Sequence, residues 1–260
     1  MNNGSGRRTR RFAAAALGVA MALAAFSTAA AELKVLTACA FKPVLAALAP
    51  GFEQASGHKL VIANDTAGAL ARRIAAGEAF DVVVLTPAAL DELARAGKVE
   101  AGPATPLAKV AIGVAVKRGA TAPDISTVAA FRQALQDARR VAYIDPASGG
   151  SSGVYLARLF ERWGIAAQLA PKAVLVPGGL VAERVASGEA DLAVHQISEI
   201  LAVPGAALVG PIPEEIQNYT VYAGAVSAQA RDAAAARALL QRLAGDEARA
   251  VLREKGMQAP

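Results

Sequence analysis

Short apolar segments alternate with helix-like segments along most of the chain, and this alternation constrains the fold more than any other feature. Strands are predicted at residues 33–37, 59–63 and 81–85, each followed by a turn and by apolar residues at helical spacing. Crossover helices of this kind connect parallel strands, so the order predicts parallel sheets covered on both faces. The sequence therefore belongs to the α/β class.

Two longer apolar runs, residues 107–117 and 219–226, interrupt the alternation. Further strands are predicted between them, at 140–144, 173–176 and 191–195, and the proline-marked segment 204–213 is interpreted as a loop. We expect one long run to carry the chain out of a first lobe and the other to bring it back. The predicted fold is two lobes, each a mostly parallel sheet flanked by helices, joined by two crossing strands. Lobe 1 is predicted to hold residues 32–115 and 225–260, and lobe 2 residues 116–224.

The first 31 residues have the composition of a secretory signal peptide. Four arginines between residues 7 and 11 precede an apolar stretch, 12–26, that is too short to span a membrane, and small residues follow at 28–31. We expect the mature protein to begin at Glu32 and to reside in the periplasm. Removing the four arginines from the 27 basic side chains leaves 23 against 22 acidic ones. The mature net charge is then +1, and no basic run supports nucleic-acid binding.

The single cysteine, Cys39, leaves two interpretations open. Residues 36–39 resemble a lipoprotein cleavage box, which would make Cys39 a lipid anchor. Glu32 and Lys34 separate that box from the apolar stretch, which favours an unanchored exported protein. One cysteine excludes an intramolecular disulfide, and one cysteine with two distant histidines does not make a typical zinc site. We expect no metal and no cofactor.

A turn rich in glycine and serine lies between the strand at 140–144 and a helix that begins near residue 151. The first amides of a helix have no intrahelical partner and carry the positive end of its dipole, so this turn is suited to an anion. The hydroxyls of Ser148, Ser151 and Ser152 add hydrogen bonds without adding charge. The nucleophile elbow of serine hydrolases, G-x-S-x-G, also fits residues 149–153.

Three other turns, at residues 37–40, 64–68 and 177–179, likewise follow predicted strands and precede helices. Ligands of open α/β sheets bind at the carboxyl ends of strands, where these turns lie. One such turn alone is more typical of a plain helix cap, but four of them in a two-lobed pattern indicate an anion site. His195 and Gln196 lie at the end of a further predicted strand and could line the same cleft, although His195 could equally be hydrogen-bonded to the backbone.

A hydrolase triad can be written with Ser151, Asp191 and His195. Four residues, 145–148, separate the strand from the serine turn, whereas an elbow needs the strand to run almost directly into it. Asp191 and His195 lie on one predicted strand, about 13 Å apart at the usual rise, which is beyond hydrogen-bonding reach. We therefore expect no catalytic activity. Lys42, Arg184 and Glu199 are interpreted as solvated or lobe-bridging charges, with Lys42 able to meet a carboxylate.

Four segments give the chain a family resemblance: VLTACAF at 35–41, ALARRIAAG at 69–77, FDVV at 80–83 and VASGEAD at 185–191. These segments carry a resemblance to the type II periplasmic substrate-binding proteins of the molybdate-binding family, and the resemblance covers nearly all of the mature sequence. The resemblance implies an oxyanion bound by backbone amides and neutral side chains. It also implies delivery of that ligand to the permease of an ABC importer.

The family's ligand contacts match this sequence only in part. Its first-lobe serine falls on Ala40 and its ligand tyrosine on Gln196, whereas Thr66 can supply the second hydroxyl. The expected ligand is therefore a molybdate-like oxyanion or a related small anion. The predicted ligand-binding residues are Ala40, Phe41, Thr66, Gly68, Ser148, Ser151, Ser152, Gly178, His195 and Gln196. We expect a monomer; an exported serine hydrolase using Ser151 and a binding protein for a small organic carboxylate are the alternatives.

Overall fold

The computed structural model of the protein describes residue 1 and residues 32–260. The predicted signal peptide, apart from Met1, lies outside the described residues. Within residues 32–260, none of the helices combines the length and the apolar character that a membrane span requires.

Strands and helices alternate over most of the described chain. The strands are β1 (Glu32–Ala38), β2 (Lys59–Asp65), β3 (Val82–Leu85), β4 (Thr105–Val110), β5 (Ile112–Lys117), β6 (Val141–Ile144), β7 (Ala173–Val176), β8 (Leu192–Gln196), β9 (Ala206–Pro211) and β10 (Thr220–Val226). The helices are α1 (Lys42–Ser56), α2 (Ala67–Ala75), α3 (Pro87–Arg95), α4 (Val128–Asp137), α5 (Ser151–Arg162), α6 (Ala166–Leu169), α7 (Glu183–Ala186), α8 (Ile197–Leu201), α9 (Ala233–Ala244) and α10 (Asp246–Glu254).

The strands form two five-stranded sheets, in the orders β2-β1-β3-β10-β4 and β7-β6-β8-β5-β9. In the first sheet β1 runs parallel to β2 and β3, and in the second β6 runs parallel to β7 and β8. One strand in each sheet is antiparallel to both of its neighbours, β10 in the first and β5 in the second. The predicted α/β architecture of two helix-flanked sheets is confirmed.

The crossing between the sheets differs from the prediction in its details. The run 107–117, predicted as one strand, is divided at Ala111, because β4 pairs within the first sheet and β5 within the second. The run 204–213, predicted as a loop, contains β9, which pairs with β5 at the sheet edge. Its flanking prolines are compatible with that place, since an edge strand leaves one side of its backbone unpaired.

The exchange of sheets lies close to the predicted lobe boundaries. The chain passes to the second sheet at residue 111 and returns with β10, which begins at Thr220. The division at residues 115 and 225 stays a prediction. Below, lobe 1 denotes the part of the chain that carries the first sheet and lobe 2 the part that carries the second.

Local sequence explains where two of the helices begin. The Thr66 hydroxyl accepts a hydrogen bond from the Ala69 amide at 3.2 Å and so caps α2, and Thr127 caps α4 in the same way. Each sheet is covered by apolar side chains from its helices, with one core in lobe 1 and a core on each face of the lobe 2 sheet. The carboxyl ends of β1, β2, β6 and β8 meet at the boundary between the lobes.

Candidate functional site

The two lobes enclose a small cavity, here called the inner cavity, with a volume of about 20 Å³. Lobe 1 contributes Ala38, Cys39, Ala40, Thr66, Ala67 and Tyr222, and lobe 2 contributes Ile144, Gly150, Ser151, Ser152, His195, Gln196 and Glu199. This space holds about one water molecule. Any larger ligand therefore requires the lobes to separate before it enters.

Direct hydrogen bonds hold the lobes together around the inner cavity. The Thr66 hydroxyl donates to the Ser148 carbonyl at 2.7 Å, and the Gly68 amide donates to the Gly149 carbonyl at 3.2 Å. A Cβ placed on Gly68 would lie 2.8 Å from the Gly149 Cα. Only glycine at residue 68 therefore lets the two backbones come this close.

The glycine-serine turn forms the lobe 2 side of the cavity. Its short 3-10 segment, Pro146–Ser148, is capped by Asp145, whose carboxylate accepts from the Ala147 amide at 2.9 Å. Gly149 follows with a φ of 78°, in the left-handed region that favours glycine. The turn delivers Ser151 to the first position of α5, where no side chain caps the helix start, and Gly150, Ser151 and Ser152 line the inner cavity.

Gln196 joins this turn to the return strand. Its amide nitrogen donates to the Ser151 hydroxyl at 3.1 Å and to the Thr220 hydroxyl at 2.8 Å. The Thr220 hydroxyl in turn lies 3.2 Å from that of Ser151. The cavity is thus bounded by neutral hydroxyl and amide groups.

A buried acid and a buried histidine lie beside this network. His195 Nε2 and Glu199 Oε2 are 3.3 Å apart, and the two side chains are only 2% and 4% exposed. Burial lowers the pKa of His195 to about 3 and raises that of Glu199 well above its usual range. Burial in the closed arrangement therefore disfavours the charged form of both groups. Burial also raises the pKa of the Cys39 thiol and of the Tyr222 hydroxyl, so these keep their protons.

Three polar atoms around the inner cavity are buried without a hydrogen-bond partner among the described residues. They are His195 Nδ1, Gln196 Oε1 and Glu199 Oε1. Buried polar groups are nearly always hydrogen-bonded, because an unpaired one loses its water without compensation. A water or a polar group of a bound molecule in the inner cavity can supply the missing partners.

A second cavity of about 400 Å³, here called the outer cavity, adjoins the inner one, and Ala67 and Ser151 line both. It is also lined by Thr86, Gly149, Val154, Tyr155, Arg158, Arg162 and Asn218. Ser151, Tyr155, Arg158 and Arg162 follow one another at helical spacing, so α5 presents them as one stripe from the inner cavity outwards. The site therefore passes from neutral donors inside to two arginines outside.

The structure brings most of the predicted ligand-binding residues together. Ala40, Thr66, Ser151, Ser152, His195 and Gln196 all line the inner cavity. Four others do not: Phe41 is fully buried in the lobe 1 core, Gly68 packs on Gly149, the Ser148 hydroxyl donates to the Asp145 carbonyl, and Gly178 lies near the Asp65 carboxylate.

Several residues differ from their predicted environments. Glu199, interpreted as a solvated or bridging charge, is buried because α8 begins directly after β8 and turns its first-turn acid inwards. Lys42 is exposed at the start of α1 and lines neither cavity. Arg184 pairs on the surface with Glu189, as expected of a solvated charge. Tyr222 and Thr220 were not predicted, although their period-two spacing on β10 points both to the same face.

The contacts of Asp191 are incompatible with the hydrolase triad. Its carboxylate accepts hydrogen bonds from Arg139 and from the amides of residues 139 and 140. The acid beside His195 is Glu199, and the Ser151 hydroxyl is engaged by Gln196 and Thr220. The described residues therefore do not form the Ser151, Asp191 and His195 array.

Comparison with known proteins identifies a family and a set of relatives. The family described as "Bacterial extracellular solute-binding protein" matches residues 33–258. A protein named "Aconitate isomerase" from a Pseudomonas species is 40% identical over 232 residues, which are 87% of each chain.

Solved structures of similar fold include two oxyanion-binding proteins. The periplasmic molybdate-binding protein of Azotobacter vinelandii aligns with a TM-score of 0.72 and 20% identity, over 88% of this chain and 100% of its own. The sulfate-binding protein of Mycobacterium tuberculosis H37Rv aligns with a TM-score of 0.69 and 18% identity, over 88% and 87%. These likenesses confirm the type II periplasmic-binding fold and the resemblance to the molybdate-binding proteins.

Proposed function

Because this chain belongs to the bacterial extracellular solute-binding protein family, we propose that it is an exported binding protein whose ligand is a small organic polycarboxylate of the aconitate type. The ligand lies between the lobes, with one carboxylate at the start of α5 and another at the arginines of the outer cavity. The observation that carries this proposal is the change in polarity along the site: the inner cavity is buried and lined by neutral groups, whereas the outer cavity is lined by two arginines.

The dimensions of the site support an extended ligand over a compact one. A tetrahedral oxyanion bound at the start of α5 would leave Arg158 and Arg162 without a role in binding. The outer cavity, at about 400 Å³, is within the size range of small-molecule sites, which is about 300–1,000 Å³. A molecule with two or three carboxylates can reach from Ser151 to Arg158 and be neutralised at its outer end.

The inner cavity also differs from an oxyanion site in its chemistry. Ala40 has no hydroxyl where the resemblance to the molybdate-binding family would place a serine, and Gln196 replaces a tyrosine. The relative named for aconitate, at 40% identity, supports the same ligand class.

The proposed partner is the permease of an ABC importer, to which the closed protein would present its ligand. Ligand contacts with amides and hydroxyls of both lobes would add to the direct hydrogen bonds that already favour the closed arrangement. Opening would occur at the two chain crossings, near residue 111 and before β10.

A ligand panel in thermal unfolding tests the proposal. Residues 32–260 are unfolded with cis- and trans-aconitate, tricarballylate, citrate, molybdate, tungstate and sulfate. A ligand at a hundred times its Kd adds about 2.7 kcal/mol to the free energy of unfolding. For a chain of this size that raises Tm by about 5–10 °C. We expect this rise with the tricarboxylates and none with the oxyanions; the reverse pattern would refute the ligand class.

A second candidate function is turnover of the same ligand, favoured by the groups that can hold a proton at the inner cavity. His195, Glu199, Cys39 and Tyr222 all line the small cavity between the lobes, where little water competes for a proton that passes to a bound molecule. The relative's name, aconitate isomerase, supports this candidate. Proton NMR of cis- or trans-aconitate incubated with the protein is expected to give a mixture of both isomers; an unchanged spectrum at stoichiometric protein would exclude it.

A further inference from the structure

Glu199 has a position that ligand binding alone does not explain. Its side chain is 4% exposed, it lines the inner cavity, and Oε1 has no partner among residues 32–260. A carboxyl group that only positioned its neighbours would have both oxygens engaged. The free oxygen is instead available to whatever occupies the cavity.

Three side chains from both lobes line the inner cavity together with this carboxyl group. His195 contacts Oε2 from β8, whereas Cys39 from the end of β1 and Tyr222 from β10 line the opposite, lobe 1 side. Cys39 is held by the Asn64 side-chain amide, whose nitrogen lies 3.3 Å from Sγ. Among the groups that line the inner cavity, Glu199 is the one carboxylate, so it is the natural base for a carbon acid.

We propose that Glu199 is the catalytic residue that moves a proton between two carbons of an unsaturated polycarboxylate bound between the lobes. This inference rests on the proposed function, and on turnover as its second candidate. It adds the group that performs the step.

The step is a proton shift along three carbons, and its atoms and electrons balance. Glu199 Oε1 removes a proton from the methylene carbon next to the substituted alkene carbon, and the electron pair of that C–H bond forms a new double bond. The former double bond supplies the pair that takes the proton back at the far carbon. One proton leaves and one returns, so no oxidant or reductant is needed. The new double bond takes its geometry from the conformation in which the ligand is held.

Lobe movement gives Glu199 the basicity that the step requires. The cavity is formed by both lobes, so separation of the lobes brings water to the carboxyl group and lets it ionise. Closure on the ligand removes that water, and burial then raises the pKa of Glu199, which increases its affinity for a proton. The carboxylate is thus formed in the open state and becomes a stronger base in the closed one.

Cys39 provides the rival mechanism for the same conversion. Its sulfur could add to the double bond, allow rotation about the resulting single bond and then leave again. That route breaks no C–H bond of the methylene carbon. The two mechanisms are therefore separable by an isotope on that carbon.

The test combines the Glu199→Gln variant with methylene-deuterated aconitate. Glutamine keeps the shape and hydrogen bonds of the side chain but cannot take a proton. We expect the variant to bind trans-aconitate with a Kd close to that of the wild type and to lose turnover by about 100-fold or more. In the wild type, deuterium is expected to leave the methylene carbon as the isomers interconvert. Turnover by the Cys39→Ala variant is expected to release deuterium in the same way, because that variant has no sulfur to add to the double bond.

Each contrary result has a distinct meaning. Full turnover by Glu199→Gln, or deuterium that stays in place, would overturn the role of Glu199 while leaving the proposed ligand intact. Wild type that binds aconitate without converting it would also overturn that role. Wild type that binds no polycarboxylate would remove the proposed function itself. If Glu199→Gln does not fold, the deuterium measurement on wild type and the partly active Glu199→Asp variant decide the matter.

Discussion

Arg158 is the residue whose charge the proposed ligand uses most directly. It is exposed on the stripe of α5 that leads from Ser151 into the outer cavity. An exposed ion pair contributes up to about 1 kcal/mol. Arg158→Gln is therefore expected to weaken tricarboxylate binding by about fivefold, as measured by calorimetry, and the loss should shrink at high salt because screening already weakens the pair.

Arg253 offers the matched control for that substitution. It is an exposed arginine in the last turn of α10 and lines neither cavity. Arg253→Gln is expected to leave the Kd unchanged. Equal losses in both variants would mean that Arg158 acts only through the net charge of the protein.

The residues of the site were predictable to different degrees. Thr66, Ser151 and Ser152 follow from turn chemistry, because small hydroxyl residues at a helix start are recognisable in the sequence. The place of Glu199 could not be predicted in this way, because its burial depends on α8 starting directly after β8 without an intervening loop. Tyr222 belongs to the return strand, and its place at the cavity depends on the packing of distant segments that no local pattern records.

At the scale of elements, the join between β6 and α5 fixes the geometry of the site. Gly153 lies in the first turn of α5, and a Cβ there would be 2.2 Å from the Ile144 carbonyl oxygen. That oxygen belongs to the backbone of β6 and cannot turn aside, so a side chain would push the helix away from the sheet. The spacing between Gly153 and Ile144 thus sets where Ser151 points.

Gly153→Ala is accordingly expected to destabilise the protein. Overpacking of this kind costs about 1–3 kcal/mol, which lowers Tm by several degrees in thermal unfolding. Gly210→Ala is the control, because its added Cβ would meet nothing closer than Ile125 Cδ1 at 3.7 Å. Similar Tm values for the two variants would show that the close approach at Gly153 is relieved without cost.

The elements themselves were mostly predictable from hydrophobic periodicity. The strand-helix alternation gave the two sheets, since apolar runs and turn residues mark each unit. The division of residues 107–117 at Ala111 was not predictable, because the sequence stays apolar on both sides of the point where the chain passes from one sheet to the other. β9 was missed because Pro204 and Pro211 bound its apolar residues and resemble loop markers.

At the scale of the whole molecule, the site exists only where two lobes meet. Thr66 and Gly68 reach across to Ser148 and Gly149, and Ser198 donates to the Ala40 carbonyl at 2.8 Å from the other side of the boundary. These contacts depend on how both lobes fold and meet. The sequence therefore predicted a cleft but not which residues contact each other across it. A ligand that bridges the lobes stabilises this closed arrangement.

Calorimetric titration of residues 32–260 with trans-aconitate and with molybdate, on one preparation, distinguishes the two ligand classes. We expect saturable binding of trans-aconitate at one site per chain, and no heat of binding from molybdate. Saturable binding of molybdate with no response to trans-aconitate would contradict this expectation.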